Sequence, residues 1–123
     1  MNLGAEKSSG DVLVFLHADS TLPSGYDTMI EKEMSPLSSW GCFRSIDIAS
    51  NGVNPLFAFL MKQSVALRTS VFHKPYGDQA LFIRKTTFCE IGGYRSDWKL
   101  LEDVDLVEKL NKKCGSPAIV PQA

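Results

Sequence analysis

The feature that most constrains the fold is a continuous apolar run at residues 12–16, Val-Leu-Val-Phe-Leu. A run of this length, rich in β-branched and aromatic residues and bounded by turn signals, is typical of a strand buried on both faces, as in a parallel sheet. Gly10 and Asp11 precede the run as a turn, and a polar cluster, His17–Thr21, follows it. The run is far shorter than the roughly 20 residues that cross a bilayer, so we predict an interior strand and no transmembrane segment.

Helical and extended patterns alternate along the rest of the chain, and this alternation favours an α/β fold. All 123 residues are expected to form a single domain, 1–123. Apolar residues at helical spacing indicate the helices, and short β-rich segments between turn signals indicate the strands. The predicted helices cover residues 1–9, 24–35, 54–68, 86–91 and 101–113, and the predicted strands cover 12–16, 40–48, 79–84 and 118–120.

Sequence signals also place the ends of several helices. Asn54 followed by Pro55 is a strong helix start, with Asn54 as the N-cap. The glycines at 92–93 are expected to take positive φ angles after a helical turn, and Gly115 is expected to cap the last helix. The helix that begins at Pro55 is apolar nearly all round at its start, so we expect that part to be buried.

Charge and cysteine content exclude several classes of function. Thirteen basic against fourteen acidic residues give a formal net charge of −1, so the chain carries no electrostatic signature for nucleic acid or for an anionic membrane surface. The cysteines, Cys42, Cys89 and Cys114, are odd in number, widely spaced and without a Cys-x-x-Cys pair, which argues against a disulfide framework or a structural zinc site. We expect free, mostly buried thiols and a cytoplasmic location.

The first candidate for chemistry is Asp19, which ends a His-Ala-Asp sequence that starts at His17, directly after the apolar run. Ligands of open α/β sheets bind at the carboxyl ends of the strands. A carboxylate at that place can hold a divalent cation, and the cation can hold a diphosphate. The alternative is structural, because Asp19 could equally begin a turn or cap the helix that starts near Ser24.

Two further polar groups could belong to a site. Glu102 and Asp103 open the last predicted helix, where one carboxylate could act as a general base positioned by the other, or both could simply complement the helix dipole. Residues 77–79, Gly-Asp-Gln, could approach and hydrogen-bond a ligand, or could form an ordinary turn before a strand. Trp40 is expected to pack in the core, whereas Trp98 lies in a polar loop and could contact a sugar.

The order and spacing of these segments resemble those of family 2 glycosyltransferases. The resemblance covers residues 1–115 and is closest to the subgroup associated with arsenosugar biosynthesis and with radical-SAM and selenodomain proteins, which has the same histidine as His17 in place of the first aspartate of the Asp-x-Asp motif. The matching segments are 15–23 (the LHAD(T)xLP form of that motif), 75–84 (GDQxxFxR), 88–94 (FxxxGGY) and 101–106 (EDxxL, on the acceptor side).

This resemblance implies a partial GT-A fold, the nucleotide-diphospho-sugar transferase fold, with a small mixed sheet flanked by helices and without the N-terminal nucleoside-binding strands. It implies metal-dependent transfer of a sugar from a nucleotide-sugar to a hydroxyl of a small molecule or glycan. Asp19 would then coordinate Mg²⁺ or Mn²⁺, with His17 beside it. Asp103 would be the general base of an inverting displacement, and Glu102 its partner. The residues that would line the sugar or acceptor pocket are Gly77, Asp78, Gln79, Arg68 and Trp98.

Members of this family begin with a further strand, followed by two strand–helix steps, together roughly 70 residues, before the strand that leads to the Asp-x-Asp motif. Met1 falls in the helix just before that strand, so the resemblance predicts the metal- and acceptor-side part of the domain, inactive alone. The sheet would then have an exposed edge. Such an edge is a template for pairing, so we expect a homodimer or a partner chain to complete it. The alternative is a non-catalytic binding module that keeps the fold.

Overall fold

The computed structural model describes residues 1–18, 20–44, 54–72, 79–97 and 101–121. Within these ranges helices and strands alternate as the sequence predicts. Predicted strand residues 45–48 lie outside the described residues. In chain order the elements are α1 (Asn2–Lys7), β1 (Val12–Phe15), α2 (Tyr26–Glu33), β2 (Trp40–Phe43), α3 (Pro55–Phe72), β3 (Leu81–Arg84), α4 (Lys85–Glu90), α5 (Glu102–Cys114) and β4 (Ala118–Val120).

The four strands of the described part of the chain form one small mixed sheet, in the spatial order β1-β3-β2-β4. β3 pairs antiparallel with β1 and with β2, whereas β2 pairs parallel with β4. Helices flank this sheet, so the α/β expectation is confirmed at that level. Burial is deepest in the two central strands, β2 and β3, where side chains on both sheet faces are covered.

The prediction for the apolar run at 12–16 is wrong in its details. β1 lies at one end of the sheet and runs antiparallel to β3, and only Leu13 of its residues is fully buried. Leu16, directly after the strand, is 42% exposed. The reason is that an apolar run reports side chains that favour burial but not the position of the strand in the sheet. β1 is the end strand among the described strands and has a neighbour on one side, so its side chains are less completely covered than those of the central strands.

Side chains alternate along the strands and supply a hydrophobic cluster on each face of the sheet. On one face, Leu13 and Phe15 of β1 pack with residues of α1, α4 and α5. On the other face, Val12 and Val14 pack with α2. The buried residues of the first cluster include Ala5, Trp40, Cys42, Leu81, Ile83, Phe88, Tyr94, Leu106 and Leu110, and those of the second include Ile30, Phe43, Phe82 and Val120.

Gly41 allows the centre of the sheet to close. A Cβ at this position would lie 2.2 Å from the carbonyl oxygen of Ala118 and 2.5 Å from the ring carbon Cζ of Phe82. Such distances are far inside van der Waals contact, so no larger residue fits without moving backbone. The absence of a side chain therefore permits Phe82 to lie across β2 and β4 to pair beside it.

The helix termini follow the sequence signals. The Asn54 carboxamide oxygen accepts a hydrogen bond from the Leu56 backbone N–H at 2.9 Å, which confirms it as the cap of α3. The φ angles of Gly92 and Gly93 are +82° and +65°, and that of Gly115 is +75°. These positive values confirm the predicted turn after α4 and the predicted end of α5.

The expectation that the start of α3 is buried is wrong. Its large apolar residues are between 50% and 66% exposed, which means that the described part of the chain does not cover them. The apolar content of a helix indicates a surface that favours burial but not the element that would cover it. The exposed residues are Leu56, Phe57, Phe59, Leu60 and Met61, with Leu67 further along the helix. No helix within the described ranges has the length and hydropathy needed to cross a membrane.

The predicted states of the cysteines and of Trp40 are largely confirmed. All three cysteines are free, but only Cys42 is fully buried, whereas Cys89 is exposed and Cys114 half-buried. The expectation of mostly buried thiols is therefore wrong for Cys89. Trp40 is buried, and its indole N–H donates to the carbonyl oxygen of Gly115 at 3.1 Å, so it packs in the core as predicted.

Candidate functional site

Two of the predicted site segments meet at one end of the sheet. Because β1 and β3 are antiparallel and Phe15 pairs with Leu81, the residues after β1 and the residues before β3 leave the sheet at the same end. His17 and Gln79 each lie two residues beyond that pair. His17 is exposed, and its carbonyl oxygen accepts a hydrogen bond from the Ser20 N–H at 3.1 Å, which turns the chain sharply after β1.

Several predicted site residues cannot be placed. Asp19, Gly77, Asp78 and Trp98 lie outside the described residues. Arg68 belongs to α3. Their predicted roles in metal, sugar and acceptor binding stay predictions.

Gln79 has a structural role at this end of the sheet. Its side chain is 1% exposed, and its amide nitrogen donates to the carbonyl oxygens of Phe43 and Arg44, both at 3.2 Å. These bonds tie the end of β2 to the start of β3 and satisfy carbonyls that leave the strand ladder. The amide N–H groups of Gln79 are therefore committed to backbone, and its predicted contact with a ligand stays a prediction.

The first turn of α5 carries several acidic residues. Glu102, Asp103 and Asp105 all lie in its first turn and are half-buried, and the preceding Leu101 has a φ of +63°. A positive φ is strained for a bulky residue, so the chain enters this helix through an unusual bend. Asp105 pairs with Lys109 at 2.8 Å, one turn further along. Carboxylates at this end favour the helix dipole, and this structural benefit is compatible with a chemical role for Asp103.

Tyr94 connects these carboxylates to the end of β1. Its ring meets the Phe15 ring edge-on, with centroids 5.2 Å apart. Burial raises the pKa of the Tyr94 phenol far above its usual range, and the charge and hydrogen bonding of Asp103 raise it further, with a smaller contribution from Glu102. The phenol is therefore protonated at neutral pH and lies close to the Asp103 carboxylate.

The backbone of Tyr94 is held by α1. The Asn2 side chain donates to the Tyr94 carbonyl oxygen at 2.8 Å and accepts from the Tyr94 N–H at 2.9 Å. A Cβ on Gly93 would lie 2.9 Å from the Asn2 side-chain oxygen, so this paired contact also depends on the glycine. Sequence reasoning missed both Asn2 and Tyr94 as parts of the site. The Gly-Gly-Tyr turn was the visible signal, but its partner lies 92 residues away in the chain.

The metal prediction depends on few described residues. In the ranges the structure describes, no three His, Cys, Asp or Glu side chains come together as a metal-binding group. His17 is the described member of the predicted pair with Asp19. The predicted binding of Mg²⁺ or Mn²⁺ stays a prediction.

No match to the chain is found among protein-family models, curated proteins or solved structures.

Proposed function

We propose that this chain has a partial GT-A fold and takes part in metal-dependent transfer of a sugar from a nucleotide-sugar to an acceptor hydroxyl. The observation that supports the proposal is the position of Tyr94, whose ring meets that of Phe15 and whose phenol lies close to the Asp103 carboxylate. It links the acidic start of α5 to the end of β1, which His17 follows. The two halves of the proposed chemistry, leaving-group stabilisation and proton removal, need that proximity.

The residues would divide the work as follows. Asp19 and His17 would hold the cation, which supplies positive charge to the departing diphosphate. The acceptor oxygen bonds to the anomeric carbon as the bond from that carbon to the diphosphate breaks, and Asp103 accepts the hydroxyl proton. Tyr94 positions the Asp103 carboxylate, and Glu102 adds negative charge beside it. Gly77, Asp78, Arg68 and Trp98 would line the sugar and acceptor pocket, and the buried Gln79 would hold the adjacent end of β2 in place.

The lone chain is proposed to be inactive until a second copy or a partner chain completes it. The alternative is a binding module without catalysis. The end position of β1 in the sheet is the observation that favours this alternative, because an open strand edge is a surface for binding another chain.

Calorimetry tests the metal and diphosphate part of the proposal. The chain is titrated with pyrophosphate and with a panel of nucleoside diphosphates, in the presence and in the absence of Mn²⁺. We expect binding that depends on the metal. Asp19→Ala should abolish the metal-dependent part, whereas Asp27→Ala, at an exposed position in α2, should leave it unchanged. No binding at millimolar ligand would refute the transferase proposal, and binding retained in Asp19→Ala would show that the metal ligand is wrongly assigned.

A second variant separates binding from chemistry. Asp103→Asn removes the proposed base but keeps the size of the side chain, so diphosphate binding should persist. Transfer by the completed assembly should fall by about 100-fold or more, as expected when a general base is lost. Equal transfer by Asp103→Asn and the unaltered chain would exclude Asp103 as the base.

A further inference from the structure

We propose that β1 pairs antiparallel with β1 of a second copy of this chain, so that two sheets join into one across a twofold axis. β1 is the end strand of the sheet, and β3 is its neighbour among the described strands. A twofold axis normal to the sheet makes such an antiparallel pair and closes the assembly at two copies.

The outward backbone groups of β1 can be identified from one hydrogen bond. The Lys85 N–H donates to the Asp11 carbonyl oxygen at 2.8 Å, so the backbone groups of Asp11 point towards β3. Backbone direction alternates along an antiparallel strand. The N–H and C=O groups of Val12, Val14 and Leu16 therefore point away from β3, towards the open edge.

Within the described part of the chain, the β1 edge carries no side chain of the kind that commonly prevents pairing. Edge strands of native proteins are commonly protected from pairing by lysine, proline or a bulge, whereas the three outward residues here are all apolar and uncharged. α1 runs beside the edge without filling the space, and a groove of about 340 Å³ remains between them. Met1, Gly4, Ala5 and Ser8 line this groove on the side of α1, and three of these four side chains are small.

The sequence of the edge selects one register. With Val14 opposite Val14 of the second copy, Val12 lies opposite Leu16, and every outward residue forms a hydrogen-bonded pair. The same register places Asp11 opposite His17 at both ends, so an acid meets an imidazole twice. A shift by two residues in either direction would leave one of the three outward residues without a partner among them, and in one direction it would also bring Asp11 against the ring of Phe15.

Sedimentation velocity over a concentration series tests the edge with a matched pair of variants. Leu16→Lys places a charge on the open edge, and it acts twice in a twofold dimer, so we expect dimer affinity to fall about tenfold or more. Leu37→Lys makes the same change at a position that is 92% exposed and away from β1, and it should leave the affinity unchanged. Both positions are accessible, so neither lysine has to enter the core.

A monomer at all concentrations up to about 1 mM would refute the proposal, because a specific dimer of this kind would have a dissociation constant below that concentration. Equal dimerisation of Leu16→Lys and the unaltered chain would also refute it. If Leu60→Lys on α3 then abolished association, the exposed face of that helix would be the interface instead. Nucleotide is absent from these measurements, so their outcome is separate from that of the transfer reaction.

Disulfide crosslinking tests the register. In a Cys89→Ser, Cys114→Ser background, Val14→Cys puts two thiols in one hydrogen-bonded pair, where Cα atoms are about 5.5 Å apart and a disulfide can form. Val12→Cys puts the two thiols four residues apart along the strands, about 13 Å, which no disulfide spans. We expect a covalent dimer under mild oxidation from the first variant only. Equal crosslinking of both variants would overturn the register.

Discussion

The Gln79 amide offers the sharpest test of how the sheet end is held. Gln79→Leu keeps the approximate shape of the side chain and removes the N–H groups that bond to the carbonyls of Phe43 and Arg44. The Phe43 carbonyl is buried, so losing the hydrogen bond to it should cost about 1–3 kcal/mol of stability. The Arg44 carbonyl borders solvent, so losing the hydrogen bond to it should cost about 1 kcal/mol. We therefore expect the free energy of unfolding to fall by about 2–4 kcal/mol.

Urea unfolding at pH 7 measures this loss, with fluorescence of the buried Trp40 and far-UV circular dichroism as probes. For a slope near 1.5 kcal/mol per molar urea, the midpoint should fall by about 1–3 M. Gln63→Leu is the matched control, because Gln63 is exposed on α3, and its effect should stay within about 0.5 kcal/mol. Gln79→Glu also brings a carboxylate against two carbonyl oxygens, so it should lower the free energy of unfolding more than Gln79→Leu does. Equal stability of the Gln79→Leu and Gln63→Leu variants would refute the reasoning.

Three further results are expected. Gly41→Ala should lower the unfolding free energy by about 3 kcal/mol in urea unfolding, because backbone and ring atoms block the new methyl group, whereas Gly4→Ala in α1 meets no atom within 4 Å and should be neutral or slightly stabilising in the same measurement. Burial raises the pKa of the Cys42 thiol to about 12, so a thiol-reactive dye should label Cys89 in the folded protein and Cys42 only after unfolding; rapid labelling of Cys42 would contradict its burial. Tyr94 has a raised pKa when folded and a pKa of about 10 when unfolded, so its share of stability is complete below pH 10 and is lost as the pH rises further. Tyr94→Phe should therefore make the decline in unfolding free energy above pH 10 shallower, and an unchanged slope would contradict that burial.

Local signals in the sequence predict the elements well. The last helix was placed at 101–113 and is found at Glu102–Cys114, because its apolar stripe has a clear helical period and Gly115 ends it. The cap at Asn54 and the turn at 92–93 follow from short-range stereochemistry that neighbouring residues determine. These features need no knowledge of the remainder of the chain.

Long-range partners explain what the sequence could not predict. The direction of β1 depends on β3, which lies almost 70 residues later, and the apolar run carries no information about it. The exposure of Leu56 and Phe57 on α3 depends on which surfaces reach that helix, not on its composition. At the candidate site, His17 and Asp103 were visible as residue types. The buried phenol of Tyr94, close to Asp103, depends on packing of distant segments.

The central position of β2 has a consequence for synthesis of the chain. Both of its neighbours come later: Gly41 pairs with Phe82 of β3 and with Ala118 of β4. At roughly 5–20 residues per second, translation needs about 4–15 seconds to reach β4 after β2 has been made. For about the first half of that interval neither neighbouring strand of β2 has been made, and for the second half only β3 has been made. We therefore expect residues 40–43 to be a principal chaperone-binding segment of the nascent chain.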